Sequence, residues 1–378
     1  MGRPGYLRAL GLLILPGFLT APAPALDLEL STILEAKTAV AIPTAEDEED
    51  DRRWDLLQGD VSAEFKLDAS HDKHSAFADG AILYDAVGTG SSGIALDPDS
   101  DEHHFYFKLK EGWYDYNGGF WSVRVGRQIN AWGAADGLQV ADILCPKDES
   151  RLLASDYSDS RIGIDAVRLS YNGTMLTADA YWIPIFAPSV LPLAKKNPLR
   201  SLIMPSSVET ELMGKTLSIK IRDFSQDDID KPETNLKNGE YAGRLSAYTP
   251  FADFSLYGFW GWDDEPIISY AISKVNDYGL PSEIALSGQY KRMGMVGADT
   301  SIPVGPLVAR AEVAFFPGRF FATDAAAQLV AGQDAYVQMN EIRFLAGLDF
   351  IAGDWTITGQ YYGDTVTDKK KNVDRESY

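Results

Sequence analysis

A single cysteine, Cys145, in 378 residues rules out an internal disulfide and leaves no Cys-x-x-Cys pair for a metal. Histidine is almost as scarce. The four, His71, His74, His103 and His104, fall in neither an HExxH spacing nor a GxSxG context, so the usual metallopeptidase and serine-hydrolase signatures are missing. His71 and His74 stand three residues apart in a polar stretch and read as surface residues rather than metal ligands; no metal and no cofactor are expected. No Gly-rich phosphate loop occurs, and no apolar run reaches the roughly 20 residues that a membrane-crossing helix needs. Positive charge is short as well. Against 55 Asp and Glu there are 34 Lys and Arg, a formal net charge of −21. That balance argues against nucleic acid as a partner, because phosphate binding needs clustered cations.

What is present begins with a leader. MGRPGYLRALGLLILPGFLTAPAPA sets Arg3 and Arg8 before an apolar stretch at residues 9–19 and a small-residue site at residues 23–25. This is the order of a secretory signal over residues 1–25, cut after Ala25. Residues 45–51 then read AEDEEDD. Like-charge runs are solvated, so residues 26–57 are expected to form an acidic periplasmic tail.

From residue 58 onward the dominant signal has period two. DFSLYGFWGWDD, residues 253–264, puts Phe254, Leu256, Gly258, Trp260 and Trp262 on one face and Ser255, Tyr257, Phe259 and Gly261 on the other. DWTITGQYYGDT, residues 354–365, repeats the pattern with Trp355, Ile357, Gly359 and Tyr361 against Thr356, Thr358, Gln360 and Tyr362. The same parity recurs around Val61, Phe65 and Leu67, around Phe105 and Phe107, and around Val123, Leu169, Ala180, Val313 and Phe344. Each stretch is about ten residues long, the length of a tilted strand crossing an outer membrane.

A secreted, soluble β-sandwich that binds carbohydrate shows the same alternation, so the connections have to arbitrate. Short turns at 115–119, 172–173, 250–253, 303–306 and 352–354 alternate with long segments at 70–100, 130–160, 184–238, 263–291 and 317–340. Short turns on one rim and long loops on the other predict an all-β, antiparallel transmembrane β-barrel over residues 58–378, its turns periplasmic and its loops extracellular. The cell envelope is then of the Gram-negative type, and the expected partners are outer-membrane lipid, small solutes and the barrel-assembly machinery. The count of strands comes to eleven. An odd number is unusual for such a barrel, so a further strand, or a chain continuing past Tyr378, is expected.

VRVGRQINAWGAADGLQVADILCPKDESRL, residues 123–152, followed by Arg161 and by YWIPIFAPSVLP, resembles the outer-membrane β-barrel proteins grouped as DUF1302. RLSAYTPFADFSLYGFWGWDDEP, RAEVAFFPGRFF and LDFIAGDWTITGQYYGDT follow in the order that family shows. The resemblance implies a barrel and a porin-like role without naming a solute. Where family members often carry Asn-Pro this chain has Cys145-Pro146, so Cys145 is given no role as a thiol.

With the polar face turned inward, the pore-lining candidates are Lys108, Lys110, Arg124, Gln128, Arg168, Asp179, Arg244, Arg310, Glu312, Glu341, Arg343 and Asp349. The loop at 130–160 follows a strand running to the long-loop rim and is expected to fold into the pore. Its candidates are Arg127, Trp132, Asp136, Asp142, Arg151, Asp159 and Arg161; Arg127 or Arg161 could pin the loop by pairing with one of its aspartates. The apolar stretch from Ile183 to Leu193 is expected to pack against it. No catalytic residues are assigned, because Asp263 and Asp264, being adjacent, point to opposite faces. An outer-membrane barrel enzyme remains the alternative to a channel.

Overall fold

The computed structural model describes residues 13–14, 26–41, 56–97, 104–134, 138, 140–151, 159–204, 206–212, 215–329, 332–367 and 373. Thirteen long strands form one antiparallel wall: β1 (Asp27–Val40), β2 (Leu56–His71), β3 (His74–Asp85), β4 (Phe105–Asn117), β5 (Trp121–Gln128), β6 (Ile164–Asn172), β7 (Leu176–Ile183), β8 (Glu240–Tyr248), β9 (Asp253–Trp262), β10 (Arg292–Val304), β11 (Leu307–Ala322), β12 (Tyr336–Ala352) and β13 (Trp355–Thr367). Each pairs with its sequence neighbours in order, and among the described residues no ladder joins β1 to β13. A sandwich would split these strands between two stacked sheets. This wall is one sheet, which rules against the soluble alternative.

Two strands exceed the expected eleven. Within 26–57, where a tail is expected, β1 pairs along its whole length with β2, from Asp27 opposite Ser70 to Val40 opposite Leu56. Within 70–100, where a long loop is expected, β3 returns after only Asp72 and Lys73, with Asp72 at φ 52°, a conformation that Asp tolerates better than most residues. Both strands hide in the sequence because small residues stand at many of their outward places: Thr32, Ala36 and Thr38 in β1, Ala76, Ala78 and Gly80 in β3. The acidic run at 45–51, and the leader except for Leu13–Ile14, lie outside the described residues. Those two pair with Leu34 and Ile33 on the free side of β1.

The two faces differ as the parity demands. Outward lie Val61, Leu256, Val296 and Ile357, 56%, 57%, 57% and 62% exposed, while Ser255, Tyr257 and Phe259 on the opposite face of β9 are buried. Six short turns close one rim, and the six long connections all leave from the other. At the long-loop rim a smaller sheet forms from Ser207–Leu212, Lys215–Ile221, Ile229–Asp230, Ile267–Val275 and Pro281–Gln289. Its apolar side, with Ile221, Phe224, Ile229 and Tyr290, packs with Leu193, Met204 and Phe186 from the connection after β7.

In bilayers, Val296→Arg, on the outward face beside Gly258 and Phe315, is expected to cost about 2–4 kcal/mol of folding free energy, whereas the inward Ser62→Arg costs under about 1 kcal/mol. Urea unfolding in lipid vesicles measures both; equal costs would contradict the assignment of faces.

Candidate functional site

The inner face is divided. From β6 to β12 it carries Ile164, Ala166, Tyr181, Ile183, Ala242, Tyr257, Phe259, Met293, Met295, Ala314, Phe316 and Leu345, all buried. Apolar groups on the inside of a barrel need a partner other than water. The connection between β5 and β6 supplies it: Trp132, Val140, Ala141, Ile143, Leu144 and Cys145 pack into the same cluster. Trp132 lies between Tyr181 and Tyr257, with ring centroids 6.0 and 5.1 Å away.

Polar contacts fix the loop to the wall. Glu312 of β11 accepts the backbone N–H groups of Ala134 and Ala141 at 2.8 and 2.7 Å, and Tyr257 Oη accepts that of Gly133 at 3.1 Å. Gly133 has φ 86°, and a Cβ there would come within 2.4 Å of Glu312 Oε1, so the WG of the motif needs its glycine at this point. Arg310 donates to the Ala134 carbonyl at 3.2 Å. At the far end of the loop Arg161 pairs with Asp142 and donates to the Cys145 carbonyl, while Asp142 also accepts the Trp132 N–H. The segment at 184–193 lies alongside, with Val190 N–H donating to Lys147 and Glu149 N–H to Val190, both at 2.9 Å.

From β1 to β4 the inner face is charged instead. Lys110 reaches Asp159 at 2.6 Å and Glu64 at 2.7 Å, Lys37 reaches Asp159 at 3.0 Å, and Lys108 reaches Asp148 at 3.1 Å. Arg151 bridges the loop to Asp60 at 2.7 Å and to Asp85 at 3.3 Å. Lys110 is the extra residue of a bulge in β4: Asp79 pairs with Glu111 while Gly80 pairs with Leu109, which lets the adjacent Lys110 and Glu111 both face inward. The charged groups of these pairs, apart from Asp85, line with Glu35 and Ser62 a cleft between loop and wall that encloses about 660 Å³, counting the part open to solvent.

A third feature is a row of arginines across β5, β6 and β8. Arg124 lies opposite Arg168, and Arg244 opposite Asp179. Asp115 pairs with Arg124 at 3.1 Å, Asp179 is 3.9 Å from Arg168, and Arg168 also donates to Asn130 of the loop at 3.2 Å. Arg244 has no carboxylate within 4.0 Å among the described residues, and its Nε is buried without a hydrogen-bond partner. Like charges on neighbouring strands repel. The arrangement therefore keeps positive potential on this arc of the wall.

All the pore-lining candidates face inward, but they do not all meet water. Gln128 is fully buried and donates to the carbonyls of Gly126 and Ala166. Glu341 is fully buried between Arg319 and Arg343, each at 2.8 Å, and Asp349 binds Arg310 at 2.6 Å. Among the loop candidates, Trp132, Asp142, Arg151, Asp159 and Arg161 are brought together, and Asp136 lies outside the described residues. Arg127 is a correction. It faces outward and pairs with Asp165, its cross-strand neighbour, at 2.6 Å, so Arg161 alone of the two pins the loop. Reading its position by parity, opposite to Arg124 and Gln128, would have shown this. Glu35, Lys37, Asp60 and Asp85 were missed: Glu35 and Lys37 stand on β1 and Asp85 ends β3, the two strands that the sequence hid, while Asp60 stands on β2. Asp148, one of the aspartates offered to Arg127 or Arg161, binds Lys108 instead. Arg319 was missed because a bulge at residues 317–318 turns it inward, onto Asp263 at 2.6 Å.

Cys145 and Asp148 are among the loop groups that titrate away from their usual range. Burial pushes the Cys145 thiol up to about 12. Burial also works to raise Asp148, but the Lys108 ammonium and the hydroxyls of Ser150 and Ser92 outweigh it and hold the carboxyl below the ordinary carboxylate range.

Residues 45–376 match the family described as "Protein of unknown function (DUF1302)". No curated protein matches the sequence significantly. Among solved structures the chain is similar to OmpF of Salmonella typhi in complex with daunomycin, at 8% identity and TM-score 0.41, covering 92% of this chain and 82% of that one. It is also similar to OccAB1 of Acinetobacter baumannii, at 10% identity and TM-score 0.45, covering 90% of this chain and 66% of that one. For OccAB3 of the same organism the values are 11%, 0.42, 91% and 67%, so the chain spans about two thirds of each Occ protein. Its own wall, apolar outside and charged within, makes the chain an outer-membrane β-barrel.

Cys145 is expected to resist a maleimide at pH 8 in the folded protein and to react at once in denaturant; labelling followed by mass spectrometry decides. Arg161→Ala, which strips the buried Asp142 of its guanidinium, is expected to cost about 3 kcal/mol or more and to expose residues 140–151 to protease. Asp148, its folded pKa depressed, stabilises fully at neutral pH. That contribution declines as pH falls through the ordinary carboxylate range and is gone below the lower folded value. Asp148→Asn should therefore flatten the acid limb of stability against pH.

Proposed function

The chain belongs to the DUF1302 family, and we propose that it is a porin-type channel in which the connection between β5 and β6 narrows the passage and charge biases which small solutes cross. The observation that carries this reading is the inward packing of Trp132 and residues 140–145 against one side of the wall, which leaves the charged cleft beside β1–β4 as the polar route. A loop held by backbone hydrogen bonds to Glu312 and Tyr257 keeps its shape under flow. Ions crossing the cleft meet Lys37, Lys108, Lys110 and Arg151 opposed by Glu35, Asp60, Glu64, Asp148 and Asp159, a near balance despite the acidity of the whole chain. The arginine row at Arg124, Arg168 and Arg244 breaks that balance towards anions such as carboxylates. Insertion of the wall is assigned to the barrel-assembly machinery of the envelope.

Single-channel recording in planar bilayers tests the narrowing: deletion of residues 132–158 is expected to raise conductance, and unchanged conductance would reject it. Reversal potentials in a KCl gradient test the bias. Arg244→Gln removes a charge with no carboxylate partner, so it orphans no acid. A unit charge acting across about 6 Å of water is worth about 0.7 kcal/mol before screening. The cation-to-anion permeability ratio should rise roughly twofold, and no change would remove the arginine row from the selectivity.

A further inference from the structure

On the outside of the barrel, at the long-loop rim, three cations gather along the tops of β8 to β12. Lys291 precedes β10 and Arg292 begins it. The Lys291 ammonium lies 3.9 Å from the centroid of the Tyr336 ring and 5.5 Å from that of Phe320. Arg292 stacks 4.2 Å over Trp262 and donates to the carbonyls of Gly239 and Lys237, each at 3.0 Å. Lys237 is itself exposed. None of the three has a carboxylate within 4.0 Å among the described residues.

That is out of pattern for this chain. Every inward-facing wall cation except Arg244 has an acidic partner, and acids outnumber bases 55 to 34. Nor are the Lys291 and Arg292 side chains simply extended towards water, as cations near a membrane surface often are. They are folded onto aromatic rings and backbone carbonyls, which holds their charged edges at fixed places. Directly below them the outward face carries Tyr241, Trp260, Val296 and Phe315, 53%, 56%, 57% and 36% exposed. Cations above an apolar, aromatic band match an amphiphile whose charged head stands over its chains.

We infer that this rim binds the net-anionic, phosphomonoester-bearing headgroup of a lipid in the leaflet on the long-loop side. A guanidinium fork and an ammonium point charge together satisfy the several oxygens of a phosphate, with Lys237 as a third contributor. The site lies on the opposite face of the wall from the cleft. Its occupancy does not depend on whether the lumen conducts.

The test uses the full chain in phosphatidylcholine nanodiscs with and without diphosphoryl lipid A, read by native mass spectrometry for retained lipid and by thermal unfolding. Wild type is expected to retain lipid A and to unfold at a higher temperature when it is present. The Lys291→Gln, Arg292→Gln pair is expected to bind it roughly thirtyfold more weakly. Lys73→Gln, which removes one charge at the opposite rim, is expected to bind it as wild type does. Lys291→Gln alone, whose ammonium touches only rings, is expected to give a smaller loss and serves if loss of Arg292 unsettles the fold. Equal retention by wild type and the rim variants overturns the inference. So does equal stabilisation by inorganic phosphate in plain phosphatidylcholine, which would assign the cations to a soluble anion.

Discussion

Hydrocarbon offers no hydrogen bonds, and the structure follows from that one constraint. A backbone crossing it must pair every amide with another strand, and every second side chain must then be oily. The ladder from β1 to β13 meets the first demand wherever a strand is flanked on both sides, and the outward row through Val61, Leu256, Val296 and Ile357 meets the second. Because side chains alternate, the inner face is left free of that demand. It is there that the chain places its chemistry.

The inside shows how charge is managed once it has been turned away from lipid. Most inward cations are tied to acids, and several of the ties run between loop and wall: Arg151 to Asp60, Lys110 to Asp159, Lys108 to Asp148. Ion pairs of this kind, partly reached by water, add little stability one at a time, but each fixes the place of a loop residue. The apolar contacts of Trp132 and residues 140–145 contribute most of the holding energy, and the polar contacts choose the register. Gly133 illustrates the division. Its missing side chain lets Glu312 approach two backbone amides that any larger residue would push away.

How much of this was legible in the sequence depended on which face a residue served. Strands whose outward places carry Leu, Val, Phe or Trp declared themselves, as did the rim assignment, because turn chemistry and loop length are local. β1 and β3 did not, since Thr, Ala and Gly at outward places flatten the alternation. Overlooking them also hid Asp85, which ends β3, and Glu35 and Lys37 on β1, and with these two one wall of the cleft. The loop was recognisable as an inward one from its length and its mixture of aromatic and charged residues. Its partners were not, because Glu312 lies 178 residues from Ala134 in sequence and only the curvature of the sheet brings them together. Arg127 was misplaced for a simpler reason: charge was read as a sign of the lumen, when position in the alternation decides the face.

Arg127 and Arg319 together show when that rule of position holds and when it fails. Arg127 obeys its parity, faces lipid at the upper end of β5, and answers the cost with Asp165 directly across the ladder. Arg319 escapes its parity, because Gly318 at φ 57° and the bulge in β11 insert residues without partners and rotate the next side chain inward. There it binds Asp263 through two nitrogens and Glu341 through a third, and so joins β11 and β12 to the start of the connection after β9. A guanidinium so fully enclosed would be intolerable in hydrocarbon, and the bulge is what keeps it out. The irregularity in the ladder is thus the means by which the sheet holds a buried charge network and an oily exterior at the same height.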